Sequence, residues 1–308
     1  MFTAQTIHDS RIAPAQAFGA LPVPQSVDIL AIKTVDGTLT VAHASPEIGS
    51  LVKGSVLCVP GFTGSKEDFY PILPRLAKLG WDVWVYSQRG QADSFAPQGQ
   101  ENYTRKCDAA DAVALAKIIS TAVGTNRVHL LGHSFGGLVA QAAAIAHPER
   151  FLSLTLMSSG PHGWAGRHDI DKRILLDNPE SDLWALNNPD LVDVPDDELD
   201  TLQSFLRERS RLTSRDQLLQ TIDELADVHD TSFEVRDTGL PVLVFHGEND
   251  NWAWPQEWQR RMAAIVGARY EIIPDAAHGP QSENPRLTAT LLNDFWSKAD
   301  GERTVQGA

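Results

Sequence analysis

Short apolar runs that alternate with helical patterns leave this chain few architectures. Val56-Leu-Cys-Val59, Trp81-Asp-Val-Trp-Val-Tyr86, Val128-His-Leu-Leu131 and Leu152-Ser-Leu-Thr-Leu-Met157 read as strands. Between them lie the Phe69/Ile72/Leu73/Leu76 spacing, the Ala109 to Ala122 stretch and the Ala-rich Leu138 to Ala146, all with helical character. Strands that are apolar at nearly every position are buried on both faces, which requires helices on both sides of a mostly parallel sheet. Upstream, Asp28-Ile-Leu-Ala-Ile-Lys33 and Thr38-Leu-Thr-Val-Ala-His43 flank Val35-Asp36-Gly37, and an Asp-Gly between two partly alternating runs predicts a hairpin. The expected fold is α/β, with a mostly parallel eight-stranded sheet and helices on both faces.

The rhythm stops after Met157 and resumes only at Pro241-Val-Leu-Val-Phe245 and Arg269-Tyr-Glu-Ile-Ile273. The gap predicts an inserted helical cap. Residues 161–235 carry 18 Asp and Glu against 7 Lys and Arg, a composition unlike the flanks. Within them Leu202/Phe205/Leu206 and Leu218/Leu219/Ile222/Leu225 have helical spacing, which packing of apolar faces on one another explains. The expected organisation is a loose leader (1–27), a first core part (28–160), the cap (161–235), a second core part (236–299) and a flexible C-terminal tail (300–308).

Charge and cysteine content remove several function classes. With 26 Lys and Arg against 40 Asp and Glu, a net charge of −14, the chain has no basic surplus to neutralise a phosphate backbone. Nucleic acid is therefore not an expected partner. No stretch approaches the roughly 18 apolar residues of a membrane span, and Met1 to Pro24 lacks the basic and apolar segments of a secretory signal. Cys58 and Cys107 are too few for a disulfide framework or a zinc cage, so a cytoplasmic setting without metal or organic cofactor is expected. Oligomeric state is not legible.

The chemistry-bearing residues sit at strand ends. Gly132-His133-Ser134-Phe135-Gly136-Gly137 follows an apolar strand and runs into a helix. Small residues around Ser134 are what a sharp strand-to-helix turn demands, and such a turn lifts the hydroxyl clear of the sheet as a nucleophile. A serine needs a base, and the base needs an orienting carboxylate. Asp250 follows the strand Val242 to Phe245 in His246-Gly247-Glu248-Asn249-Asp250, and His278 follows the last strand in Ile273-Pro-Asp-Ala-Ala-His278-Gly279. Glu248 and Asp275 are rival carboxylates, ranked below Asp250 as a solvated or capping group and a turn residue.

Together these motifs resemble the α/β-hydrolase fold family, in its serine-nucleophile esterase and lipase-like branch, from about Asp28 to Trp296. Pro60-Gly61-Phe62-Thr63-Gly64 is similar to that family's oxyanion loop, and Ser87-Gln-Arg89-Gly90-Gln-Ala-Asp93-Ser94 to its Arg-Gly segment. The resemblance implies Ser134 as nucleophile, His278 as base, Asp250 as its orienter, and the Phe62 and Phe135 amides as the oxyanion hole. Two positions depart from the pattern. Pro60 stands where the family usually has His, and Ala92 where a second Gly is common.

The resemblance further implies a serine hydrolase acting on a small-molecule ester or related acyl substrate through an acyl-enzyme, with Trp164 and Trp184 of the cap as pocket walls. Aminopeptidase, C–C hydrolase, lactonase and perhydrolase activities use the same triad and stay open. So does a small-molecule receptor that keeps the triad with little turnover. If the acidic insert rims the pocket, polyanionic substrates are expected to be disfavoured.

Overall fold

In the computed structural model, which describes residues 1–4, 6–251 and 253–306, the apolar runs form strands buried along nearly their whole length. The first half of the chain runs β1 (Phe2–Thr3), β2 (Ile12–Pro14), β3 (Asp28–Lys33), β4 (Thr38–Ala44), β5 (Leu51–Val52), β6 (Gly54–Val59), α1 (Leu73–Lys78) and β7 (Trp81–Tyr86). It continues through α2 (Arg105–Val123), β8 (Val128–His133), α3 (Phe135–Ala146) and β9 (Phe151–Met157). The long helix α2 starts where the Thr104 side chain accepts from the Cys107 amide, and it stops at Gly124, whose φ of 74° a side-chain-bearing residue rarely adopts.

The main sheet has nine strands among the described residues, in the order β11-β10-β9-β8-β6-β7-β4-β3-β2, where β10 is Val242–Gly247 and β11 is Arg269–Ile273. From β11 to β7 all pairings are parallel, and the last three strands are antiparallel. The strand beyond the expected eight comes from the leader. Ile12 pairs with Ile32 and Pro14 with Leu30, so this part of residues 1–27 is a sheet edge and not a loose segment. An edge tolerates Pro14 because its missing N–H faces away from the ladder. A separate ribbon pairs β1 with β5.

The insert holds α4 (Asp169–Asp177), α5 (Leu183–Asn187), α6 (Thr201–Leu212) and α7 (Arg215–Leu225). Leu175, Leu183, Leu218, Leu219 and Ile222 form their own apolar cluster, as the helical spacings predicted for α7. The next helix, α8 (Ser232–Asp237), packs on α3 and on α9 (Gln256–Val266). Its Val235 lies in the main core cluster, so the chain has rejoined the core before residue 235.

After α10 (Pro280–Glu283), helix α11 spans Pro285–Gln306, and the expected flexible tail from 300 is helical through 306; residues 307–308 lie outside the described residues. Leu292, Phe295, Trp296 and Ala299 bury the face that docks on the sheet. Trp296 meets Trp81 edge-on at 5.2 Å, and its Nε1 donates to Thr155 Oγ1 at 3.2 Å. Replacing so large a buried side chain costs about 3–5 kcal/mol. Trp296→Ala is therefore expected to lower the unfolding free energy by about that much in urea melts. A loss below about 1 kcal/mol would mean that α11 is not part of the core.

Candidate active site

Ser134 sits between β8 and α3 with φ 56° and ψ −125°, a conformation strained for any residue with a Cβ. The surrounding glycines make it possible. A Cβ on Gly136 would collide with the carbonyls of Val59 and Pro60, one on Gly132 with the Gly136 carbonyl, and one on Gly137 with the Ser159 side chain. The junction is anchored by the Ser134 amide, which donates to Met157 O at 2.9 Å. Phe135 opens α3, so its N–H has no partner within the helix and lies at the positive end of the helix dipole.

The loops after β10 and β11 bring the predicted base and carboxylate together. His278 Nδ1 donates to Asp250 Oδ2 at 2.9 Å, and Asp250 is fully buried. Glu248 is exposed, and Asp275 is an exposed turn residue at φ 54°. Ser134 and His278 line one cavity of about 300 Å³, together with Gly61 and Phe62 of the loop after β6. The insert contributes Arg167, His168, Asp171, Leu183, Asn187 and Leu225 to the lining, and Thr63, Asp68 and His133 complete it.

Two glutamines that the sequence reading did not single out hold the loop bearing Phe62. Gln88 Nε2 donates to Pro60 O at 3.0 Å, and Gln91 Nε2 donates to Gly61 O at 2.8 Å. Gln91 Oε1 in turn accepts from the Gln88 backbone N–H at 3.1 Å, so the buried Gln91 side chain ties the Gln88 backbone to the same loop. These bonds fix the peptide planes around Phe62, and Pro60 in place of His removes nothing that they need. Ala92, in place of the second Gly, still takes the left-handed conformation at φ 46°, with its amide bonded to Thr213 Oγ1. The loop backbone is therefore held as a glycine would allow, at some strain.

His133 was also missed, although it sits inside the serine motif. Its Nε2 donates to the backbone carbonyl of His278 at 2.7 Å, tying the peptide of the predicted base to β8. Burial, reinforced by the neighbouring His278 ring, lowers its pKa to about 4 from 6.5. The neutral form donates from Nε2, so Nδ1 carries no proton.

The two tryptophans expected as pocket walls stand outside this cavity. Trp184 packs inside the insert, with Nε1 on Gln203 Oε1 at 3.0 Å and the Arg207 guanidinium 4.6 Å from its ring, beside a separate hollow of about 160 Å³. Trp164 packs edge-on against Trp254 and Trp258. Arg167 occupies the cavity lining instead. The acidic run Asp193, Asp196, Asp197, Glu198 and Asp200 is exposed and lines none of the cavity, so it does not give the pocket a negative rim.

Comparisons with known proteins agree with the fold. A family profile described as alpha/beta hydrolase fold matches residues 54–181. A Bacillus subtilis (strain 168) protein named as a putative 2-succinyl-6-hydroxy-2,4-cyclohexadiene-1-carboxylate synthase is 26% identical over 279 residues, 83% of this chain and 94% of that protein. A pimeloyl-[acyl-carrier protein] methyl ester esterase of Neisseria meningitidis serogroup C is 27% identical over 259 residues, 78% of this chain and 92% of that protein. The crystal structure of the enol-lactonase from Burkholderia xenovorans LB400 superposes with a TM-score of 0.68 at 20% identity, covering 86% of this chain and 98% of that one, a likeness of fold.

Neutral burial of His133 has a pH signature. Because its folded pKa lies below the unfolded value, the unfolded chain alone takes up a proton as pH falls from about 6.5 to 4, and stability is lost across that window. The loss amounts to roughly 3 kcal/mol. His133→Asn keeps a donor for the His278 carbonyl and removes the titration. Urea melts at pH 7 and pH 4 should show a drop smaller by roughly that amount in the variant than in the wild type. Equal drops would mean that His133 is not held neutral.

Proposed function

The chain belongs to the α/β-hydrolase fold family and is a hydrolase, and from that premise we propose that it cleaves a small carboxylic ester through Ser134, His278 and Asp250. The observation that carries this reading is the meeting of three loops at one cavity: the strained serine and a histidine bonded to a buried carboxylate both face it or back it. Ser134 Oγ attacks the ester carbonyl carbon while His278 Nε2 takes its proton. Asp250 holds the ring so that Nδ1 keeps its hydrogen and Nε2 is the basic nitrogen, and it stabilises the imidazolium that forms. The developing oxyanion is received by the amides of Phe62 and Phe135. His278 returns the proton to the leaving alcohol, an acyl-enzyme remains on Ser134, and water attacks it in the second half of the reaction.

A cavity of about 300 Å³ lies at the small end of ligand pockets, which fits a short acyl compound. The Neisseria relative named as a methyl ester esterase supports choosing an ester among acyl substrates. Among the described residues no helix is long and apolar enough to cross a membrane. Cys58 and Cys107 are free thiols, which fits a reducing compartment such as the cytoplasm.

Ser134→Ala and His278→Ala are each expected to lower kcat by on the order of 10⁶, and the double variant little further, since groups acting as one unit are not additive. Asp250→Asn is expected to cost roughly 10⁴ in kcat, while Glu248→Gln and Asp275→Asn change it far less. Steady-state kinetics on a short-chain ester check both. A double variant far below the singles contradicts the shared role, and either rival carboxylate outranking Asp250 contradicts its assignment.

A further inference from the structure

Arg167 is a cation that the protein brings to the cavity and leaves, among the described residues, without a hydrogen-bonded anion. The turn Trp164-Ala-Gly-Arg167 closes with the Arg167 amide on the Trp164 carbonyl, and Gly166 at φ 80° supplies the positive φ required at its third position. That turn folds the guanidinium back onto indoles, 4.1 Å from the ring centroids of both Trp164 and Trp254. Among the described residues it makes no ion pair, and its buried Nη1 has no hydrogen-bond partner. Burial outweighs the opposing attraction of Asp250 and lowers its pKa to about 10, which leaves it charged at neutral pH.

The other charged side chains of the lining are engaged. Asp68 is bound by Arg209 Nη1 at 2.6 Å, and Asp171 accepts from His168 Nδ1 at 2.7 Å. Asp250 is bonded to His278. A guanidinium is expensive to bury without an acceptor, and its planar fork matches a carboxylate. Stacking on two indoles fixes its position before any ligand arrives, so little side-chain entropy is lost on binding.

We propose that Arg167 anchors a carboxylate of the substrate, so that the preferred ester is one whose acyl or alcohol part carries a free carboxylate, such as a half-ester of a short dicarboxylic acid. This deepens the ester hydrolase reading and rests on it for the reaction, though not for the binding. The acidic composition of the insert points the other way, toward exclusion of anions, but its acidic run faces outward. Arg167 is the cation in the lining, and the acidic side chains beside it, Asp68 and Asp171, are bonded to Arg209 and His168.

The test compares a dicarboxylate half-ester with a neutral diester of the same acid, in the wild type, Arg167→Gln and Arg167→Lys. The ratio of kcat/KM for half-ester over diester is expected to fall roughly 10–100-fold in Arg167→Gln, mainly through KM, and to be partly restored in Arg167→Lys. Calorimetric binding of glutarate to the same three proteins supplies a readout free of turnover, and its affinity is expected to fall by a similar factor in Arg167→Gln. An equal loss on both esters with unchanged glutarate affinity overturns the anchor and makes Arg167 a brace between the insert and Trp254. Glutarate binding that depends on Arg167 without turnover of either ester supports the anchor and overturns the hydrolase reading. Turnover that ignores the carboxylate, with glutarate affinity insensitive to Arg167, does the reverse.

Discussion

The backbone at Ser134 is held at φ 56° and ψ −125° by close approach of α3 to β6 and β8, and the geometry of the site depends on that confinement. A residue with a Cβ in such a conformation costs on the order of 1–3 kcal/mol, which persists only when the surroundings allow no alternative. Here Gly132 and Gly136 let backbone meet backbone where any side chain would collide, and Gly137 leaves room for the Ser159 side chain. The same approach presents the start of α3 to the site, so Ser134 and the Phe135 amide, the proposed nucleophile and oxyanion donor, are set by a single steric fact. The Gln88 and Gln91 bonds to the facing loop then determine where the Phe62 amide, the proposed second donor, stands.

Electrostatics around the histidine follow a consistent scheme. Asp250 is fully buried against His278, which in the proposed mechanism is where an imidazolium would be stabilised most. His133 lies with its ring centroid 4.9 Å from that of His278, and it is kept neutral. Two positive rings at this separation would repel by about 3 kcal/mol at an effective dielectric of 20. Burial of His133 thus removes a charge that would oppose the proton transfer, while its Nε2 bond holds the His278 backbone in place.

The parts legible in the sequence are those encoded locally. Most of the parallel strands are dominated by apolar residues, and the serine, acid and histidine each follow a strand within a few residues, so order and spacing suffice to find them. What the sequence hid depends on distant partners. The leader strand Ile12–Pro14 is three residues long with a proline, too short for any period, and exists only by pairing with β3. His133 acts through a carbonyl 145 residues away. Trp164 and Trp184 were chosen by residue type, and both are used for packing within or beside the insert. Arg167 lies in an acidic segment with no local pattern, and its significance comes from the two indoles and the cavity that it meets in space.

The claim on which the rest stands is that Ser134 is a nucleophile activated by His278. An alkyl fluorophosphonate followed by intact-mass analysis and tryptic mapping measures this directly, because Ser134 falls in the single peptide Val128 to Arg150. One equivalent of label at Ser134, formed far more slowly in His278→Ala, is the predicted result. Label carried by another residue, or a rate at Ser134 that does not depend on His278, would contradict the account.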